Sequence, residues 1–175
     1  MQKNKMPNGL IDAEIYINGS NNMAGTGEVE LPNIEYATIT SEQMGLAAEV
    51  EMPLIGRFKK LEAKIKMDTV DDSLIGFNNE EPLLVEFKGA YQYTNKVTHG
   101  VGLGDIDATF KGMIKKMDGI KGKPGTKMET SFDIGCTYYK LTIGGKTIIE
   151  IDVLNNISNI NGATNSKLRR YLGLI

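Results

Sequence analysis

Apolar and polar residues alternate with period two along most of this chain, a rhythm that builds half-buried strands and leaves little room for long helices. Residues 13–17 (AEIYI) alternate and stop at Asn18-Gly19, a turn dipeptide. Short strands are expected at 26–32 and 34–40, on either side of Pro32, and another at 46–52. Between Phe58 and Met67 one strand is expected, with Leu61, Ala63, Ile65 and Met67 on one face and Glu62, Lys64 and Lys66 on the other. The rhythm breaks at 69–77, where Asp71 or Asp72 is placed to cap one short helix carrying Leu74, Ile75 and Phe77.

Two long pairs follow. Leu83, Val85, Phe87, Gly89, Tyr91 and Tyr93 share a face, and so do Ile106, Ala108, Phe110, Gly112 and Ile114. They flank a glycine-rich loop at 100–104 and predict a long hairpin. Segments 127–143 and 146–153 bracket Gly144-Gly145, a second hairpin turn. In this reading Cys136 alternates with Phe132, Ile134 and Tyr138, which predicts a buried thiol. The basic stretch 118–127 reads as a mobile loop, and 166–173 as one or two helical turns stopped by Gly173.

The expected fold is mainly β: an antiparallel barrel or sandwich in a single domain, residues 1–175, with one or two short helices. Residues 1–12 form an N-terminal arm and 164–175 a C-terminal arm. Strands this long exceed the usual 5–6 residues and expose edges that a monomer must protect. A ring of copies pairing edge to edge removes the problem.

Sites for chemistry are scarce. Gly144-Gly145-Lys146-Thr147 ends like a phosphate-binding loop, but Lys140 stands where the motif needs its first glycine, and a strand follows in place of a helix. Gly100-Val101-Gly102-Leu103-Gly104 runs into the alternating Asp105-Ile106-Asp107 and opens no helix. His99 is the single histidine and Cys136 the single cysteine, so neither a disulfide framework nor a four-ligand zinc site of nitrogen and sulfur donors is available. No GxSxG motif accompanies His99, and Asp68, Asp71, Asp72, Asp105 and Asp107 lack the spacing of a calcium loop. No catalytic, cofactor-binding or metal-binding residue is assigned, and no cofactor is expected. A net charge of −2 argues against a protein that grips nucleic acid non-specifically. The basic start Met1–Pro7 has no apolar run behind it, so no signal peptide is expected and synthesis is placed in the cytoplasm.

Read as a string, Cys136-Thr-Tyr-Tyr-Lys-Leu-Thr-Ile-Gly-Gly-Lys-Thr-Ile-Ile-Glu-Ile-Asp152 is distinctive, followed by Asn155, Asn161-Gly162 and Leu168-Arg169-Arg170. With Ile15–Gly19, Val29–Pro32, Phe87–Gln92 and the loop from Asp118-Gly119 to Gly125, all in the same order, it resembles the major tail tube proteins of contractile-tailed phages of the P2 type and of phage-tail-like bacteriocins. The resemblance implies a non-enzymatic subunit that stacks as hexameric rings into a hollow tube. Its implied partners are itself, a surrounding sheath, a tape-measure protein in the lumen, baseplate and tail terminator proteins, and DNA in passage. The implied location is the virion tail or bacteriocin particle, assembled in the host cytoplasm.

If each subunit of such a ring gives about four strands to one barrel, strands ~4.8 Å apart and tilted ~45° make a backbone diameter of roughly 50 Å. Side chains reduce this to on the order of 40 Å, wide enough for hydrated duplex DNA, and a neutral or acidic wall would let phosphates pass. The expected lumen set is Glu62, Lys64, Lys66, Glu86, Lys88, Asp105, Asp107, Glu129 and Asp133, with mixed signs that the sequence does not explain. The competing reading is a stand-alone β-sandwich that binds a ligand such as carbohydrate, and a nucleotide-dependent enzyme stands third.

Overall fold

The structure, a computed structural model, describes residues 4–18, 26–41, 47–68, 70, 78 and 80–174. The helix expected from Asp71 or Asp72 lies outside these residues. The strands are β1 (Lys5–Ile17), β2 (Thr26–Glu30), β3 (Tyr36–Ser41), β4 (Val50–Phe58), β5 (Leu61–Met67), β6 (Leu83–Asn95), β7 (Val101–Met117), β8 (Thr130–Ile143), β9 (Lys146–Asp152), β10 (Ile157–Ile160) and β11 (Ala163–Thr164), followed by helix α1 (Ser166–Tyr171). All the pairings are antiparallel, and the expectation of a mainly β fold holds as a sandwich-like arrangement whose sheets do not close into a barrel within one copy.

The organising strand is β8. One of its edges pairs with β7 from Phe132 to Ile143. Its other edge is shared: Thr130–Cys136 pair with β5, and Tyr138–Ile143 pair with β9. The sheet therefore splits at Thr137 into two leaves, β5–β2 on one side and β9–β10–β11 on the other. Thr137 itself is a bulge, because the register along β7 steps from Lys111↔Tyr138 to Gly112↔Cys136.

That extra residue shifts the phase of β8. Thr130, Phe132, Ile134 and Cys136 point into the core, and beyond the bulge Tyr139 does, at 3% exposure. The sequence reading had Tyr138 on the buried face; the structure turns it outward, where its hydroxyl donates to Glu150 Oε1 at 3.3 Å. The core joins both leaves: Leu61, Ala63, Ile65 and Met67 of β5 meet Val85, Phe110, Ile134 and Ile151. Each fully buried aliphatic or aromatic side chain contributes about 1.5–3 kcal/mol.

Other boundaries also move. Segment 58–67 is not one strand, since Phe58 closes β4 and the alternation begins at Leu61. Glycines 102 and 104 belong to β7; the hairpin turn lies one step earlier, at 96–100, with His99 at φ 56°. They stay in strand because Tyr93 and Tyr91, their partners on β6, lay their rings over the space a β-carbon would take. Residues 5–12 of the expected arm run along β6 as the outer half of β1. Strands β3 and β4 form a separate two-stranded sheet, closed at its base by the Tyr36–Phe58 ring contact (5.3 Å) between its own strands, with Gly56 (φ 68°) set against Asn165 and Leu168.

Candidate assembly surfaces

Alternation that buries Val85, Phe110, Tyr139 and Ile151 must turn their neighbours to the other side of the sheet. The outcome is an unbroken polar row across six strands: Tyr16 faces Glu86, Glu86 faces Thr109, Thr109 faces Lys140, Lys140 faces Glu150, and Glu150 faces Asn159. A second row runs Glu14, Lys88, Asp107, Thr142. Opposite charges alternate along both rows, an arrangement that favours cross-strand neighbours over repulsion. Lys88 also reaches over the Tyr16 ring, 5.8 Å from its centroid. Between β1 and β9 this face carries Asp12, Glu14, Glu86, Asp105, Asp107, Glu150 and Asp152 against Lys88, Lys111 and Lys140, so it is acidic.

The β5 end of the same sheet is a network of ion pairs. Lys64 Nζ lies 3.9 Å from both Asp133 and Asp118, Lys66 lies 3.4 Å from Glu129, and Glu62 joins Lys115 and Lys60. Glu62 is held below its ordinary range by hydrogen bonds from Lys115 and Lys60. Two of the three lysines of the expected lumen set, Lys64 and Lys66, thus sit against carboxylates.

Asp118 ties the loop that follows β7 back onto this network. Its carboxylate pairs with Lys116 (2.7 Å) and accepts from Ser131 Oγ (2.6 Å), which draws its pKa from 3.8 to about 2. Its backbone N–H donates to Ser131 O, and its carbonyl accepts from Thr130 Oγ1. A shallow pocket of ≈ 220 Å³ lies here, lined by Lys64, Lys66, Lys121 and Glu129 among others. Lys64 and Lys66 there are already paired with carboxylates of the chain. Among the described residues no group of three or more metal-ligating side chains converges.

Of the expected lumen residues, Glu86, Lys88, Asp105 and Asp107 lie on the β6–β7 part of the polar face. Glu62, Lys64, Lys66, Glu129 and Asp133 lie at the β5–β8 end. Sequence reasoning missed Tyr16, Thr109, Lys140 and Glu150. Glu150 alternates with Ile149 and Ile151 in β9, a signal present in the string; Lys140 was obscured by the bulge.

The chain matches the family described as phage tail tube protein FII over residues 7–173. The chain belongs to that family. The tail tube protein of Escherichia phage P2 is 26% identical over 174 residues, covering 97% of this chain and 99% of the P2 protein. The major tail tube protein of Serratia phage KSP20 is 24% identical over 155 residues, covering 85% and 84% of the respective chains. This tail tube family member is a structural tail protein and not an enzyme. Its long sheet is two-faced, with one face packed and one face polar.

Proposed function

We propose that this protein forms the inner tube of a contractile tail as stacked hexameric rings, with the polar face of β6, β7, β8 and β9 turned to the channel. The observation that carries this reading is the pair of charge-alternating rows crossing the sheet without a single exposed large apolar side chain in them. A lumen wall needs such a surface: wetted, without apolar patches, and acidic enough not to hold phosphates. The conduit carries DNA in a phage, or ions across the target envelope in a tail-like bacteriocin. A sheath around the tube, a tape-measure protein inside it, and baseplate and terminator proteins at its ends complete the reading. The particle assembles in the host cytoplasm.

The termini and loop 118–127 serve in contacts between rings. Exposed apolar side chains at the ends of the sheet fit that role, among them Leu103 near the β6–β7 turn and Ile120 in the loop. Electron microscopy of purified protein tests the reading. Rings or tubes with an open axis are expected, and a strict monomer at high concentration contradicts them.

A further inference from the structure

The two ends of the sheet carry opposite charge, and among the described residues the charges at neither end are in ion pairs. At one end, among the described residues, β1 is hydrogen-bonded to β6 alone. Its outer half is interrupted between Pro7 and Gly9 and between Leu10 and Asp12, but from Asp12 to Ile17 the register is continuous, and that edge is open for pairing. Asp12 and Glu14 are exposed on this straight part and take part in no ion pair among the described residues. Glu14 faces Lys88, yet the lysine's ammonium lies over the Tyr16 ring.

At the other end the sheet finishes in β11, two residues long, and the chain turns directly into α1. This helix has basic residues and no acidic ones: Lys167, Arg169 and Arg170, none in an ion pair among the described residues. Arg169 is half-buried, and its Nε has no hydrogen-bond partner among them. A buried N–H without an acceptor is costly, and an acceptor brought to it offsets that cost.

We infer that α1 of one copy docks against the Asp12–Glu14 edge of β1 in the next copy around the ring, an inference that rests on the tube reading above. The contact joins different surfaces of identical chains, the head-to-tail kind that closes into rings when the rotation fits. It covers the free edge and brings acid to base, with the exposed Ile11 of β1 near the exposed Tyr171 and Leu172 beyond the helix.

Charge exchange tests it. Asp12→Lys with Glu14→Lys, and separately Lys167→Glu with Arg170→Glu, are expected to move the protein from tubes to monomers in sedimentation, with circular dichroism and melting unchanged. Combining all the reversals is expected to restore tubes. In a second experiment, an oxidised mixture of Glu14→Cys and Arg170→Cys proteins is expected to give covalent dimers that neither protein gives alone. Wild-type tubes unaffected by either reversal, or no recovery in the combined protein, overturn the contact and leave the tube reading standing. So does a helix reversal that spares tubes but abolishes binding of another tail component. Wild-type protein that builds no rings overturns the tube reading and the contact together.

Discussion

The backbone of Gly112 in β7 lies so close to the carbonyl of Gly135 in β8 that a β-carbon at Gly112 would collide with it, and would also sit 2.8 Å from the Cα of Cys136. The close approach occurs one step from the Thr137 bulge, where β8 passes from one leaf of the sheet to the other. Neither neighbour is a flexible side chain, so nothing can yield cheaply. Gly112→Ala is expected to destabilise the fold by about 1–3 kcal/mol, the range of overpacked cores, measured by denaturant unfolding. An unchanged midpoint would show that the two strands are not pinned at this point.

The bulge makes a contrast between adjacent tyrosines. Tyr139 points into the core and its hydroxyl is pushed up to about 12, chiefly by burial; Tyr138 points out, with its pKa raised by partial burial and then by Glu150. Tyr139→Ala is expected to cost about 3–5 kcal/mol, in the range of large aromatic truncations, and Tyr138→Ala clearly less. The reverse order in thermal or denaturant melts would put the phase shift in the wrong place.

Asp118 gives the protein an acid dependence. Its folded-state pKa of about 2 lies below its ordinary 3.8, chiefly through Lys116 and then Ser131. The stabilisation it brings is therefore complete above pH 3.8 and is lost as pH falls from there toward 2. The difference in stability between wild type and Asp118→Asn is expected to stay constant at higher pH and to shrink across that window. A difference that persists at pH 2 would mean the carboxylate is not the anchor.

The thiol of Cys136 is pushed up to about 12, mainly by burial. Thiolate, the reactive form, is then negligible at neutral pH. Folded protein is expected not to react with a thiol reagent at pH 8, and denatured protein to show its single thiol. Prompt labelling of the native chain would place Cys136 at an accessible surface.

How far the fold could be read in the string depended on whether local pattern and global pairing agreed. Strand β5 alternates buried and half-buried from Leu61 to Met67 as its residues dictate, because β8 pairs with its whole length without a register shift. The buried face of β6 was legible because β7 pairs with it from Leu83 to Thr94 without a shift. The bulge at Thr137 was not: nothing in Gly135-Cys136-Thr137-Tyr138 marks the extra residue, which arises because β8 must serve two leaves. Gly102 and Gly104 read as a loop by composition, and only the tyrosines across the hairpin keep them in strand. The short β10–β11 pair was missed as strand, although its turn, Asn161-Gly162, was visible as an Asn-Gly dipeptide. For the candidate lumen face, the residue types were legible on β6 and β7. Their partners on β8 and β9 depended on a register that local pattern does not fix.

The tube reading stands or falls on whether the charge-alternating face of the sheet lines the channel. A helical reconstruction of assembled tubes measures this most directly. Glu86, Lys88, Asp107, Lys140 and Glu150 are expected to face the axis, with Val85, Phe110 and Tyr139 buried behind them. A reconstruction with those polar side chains on the outer wall, or with no axial channel, would contradict it.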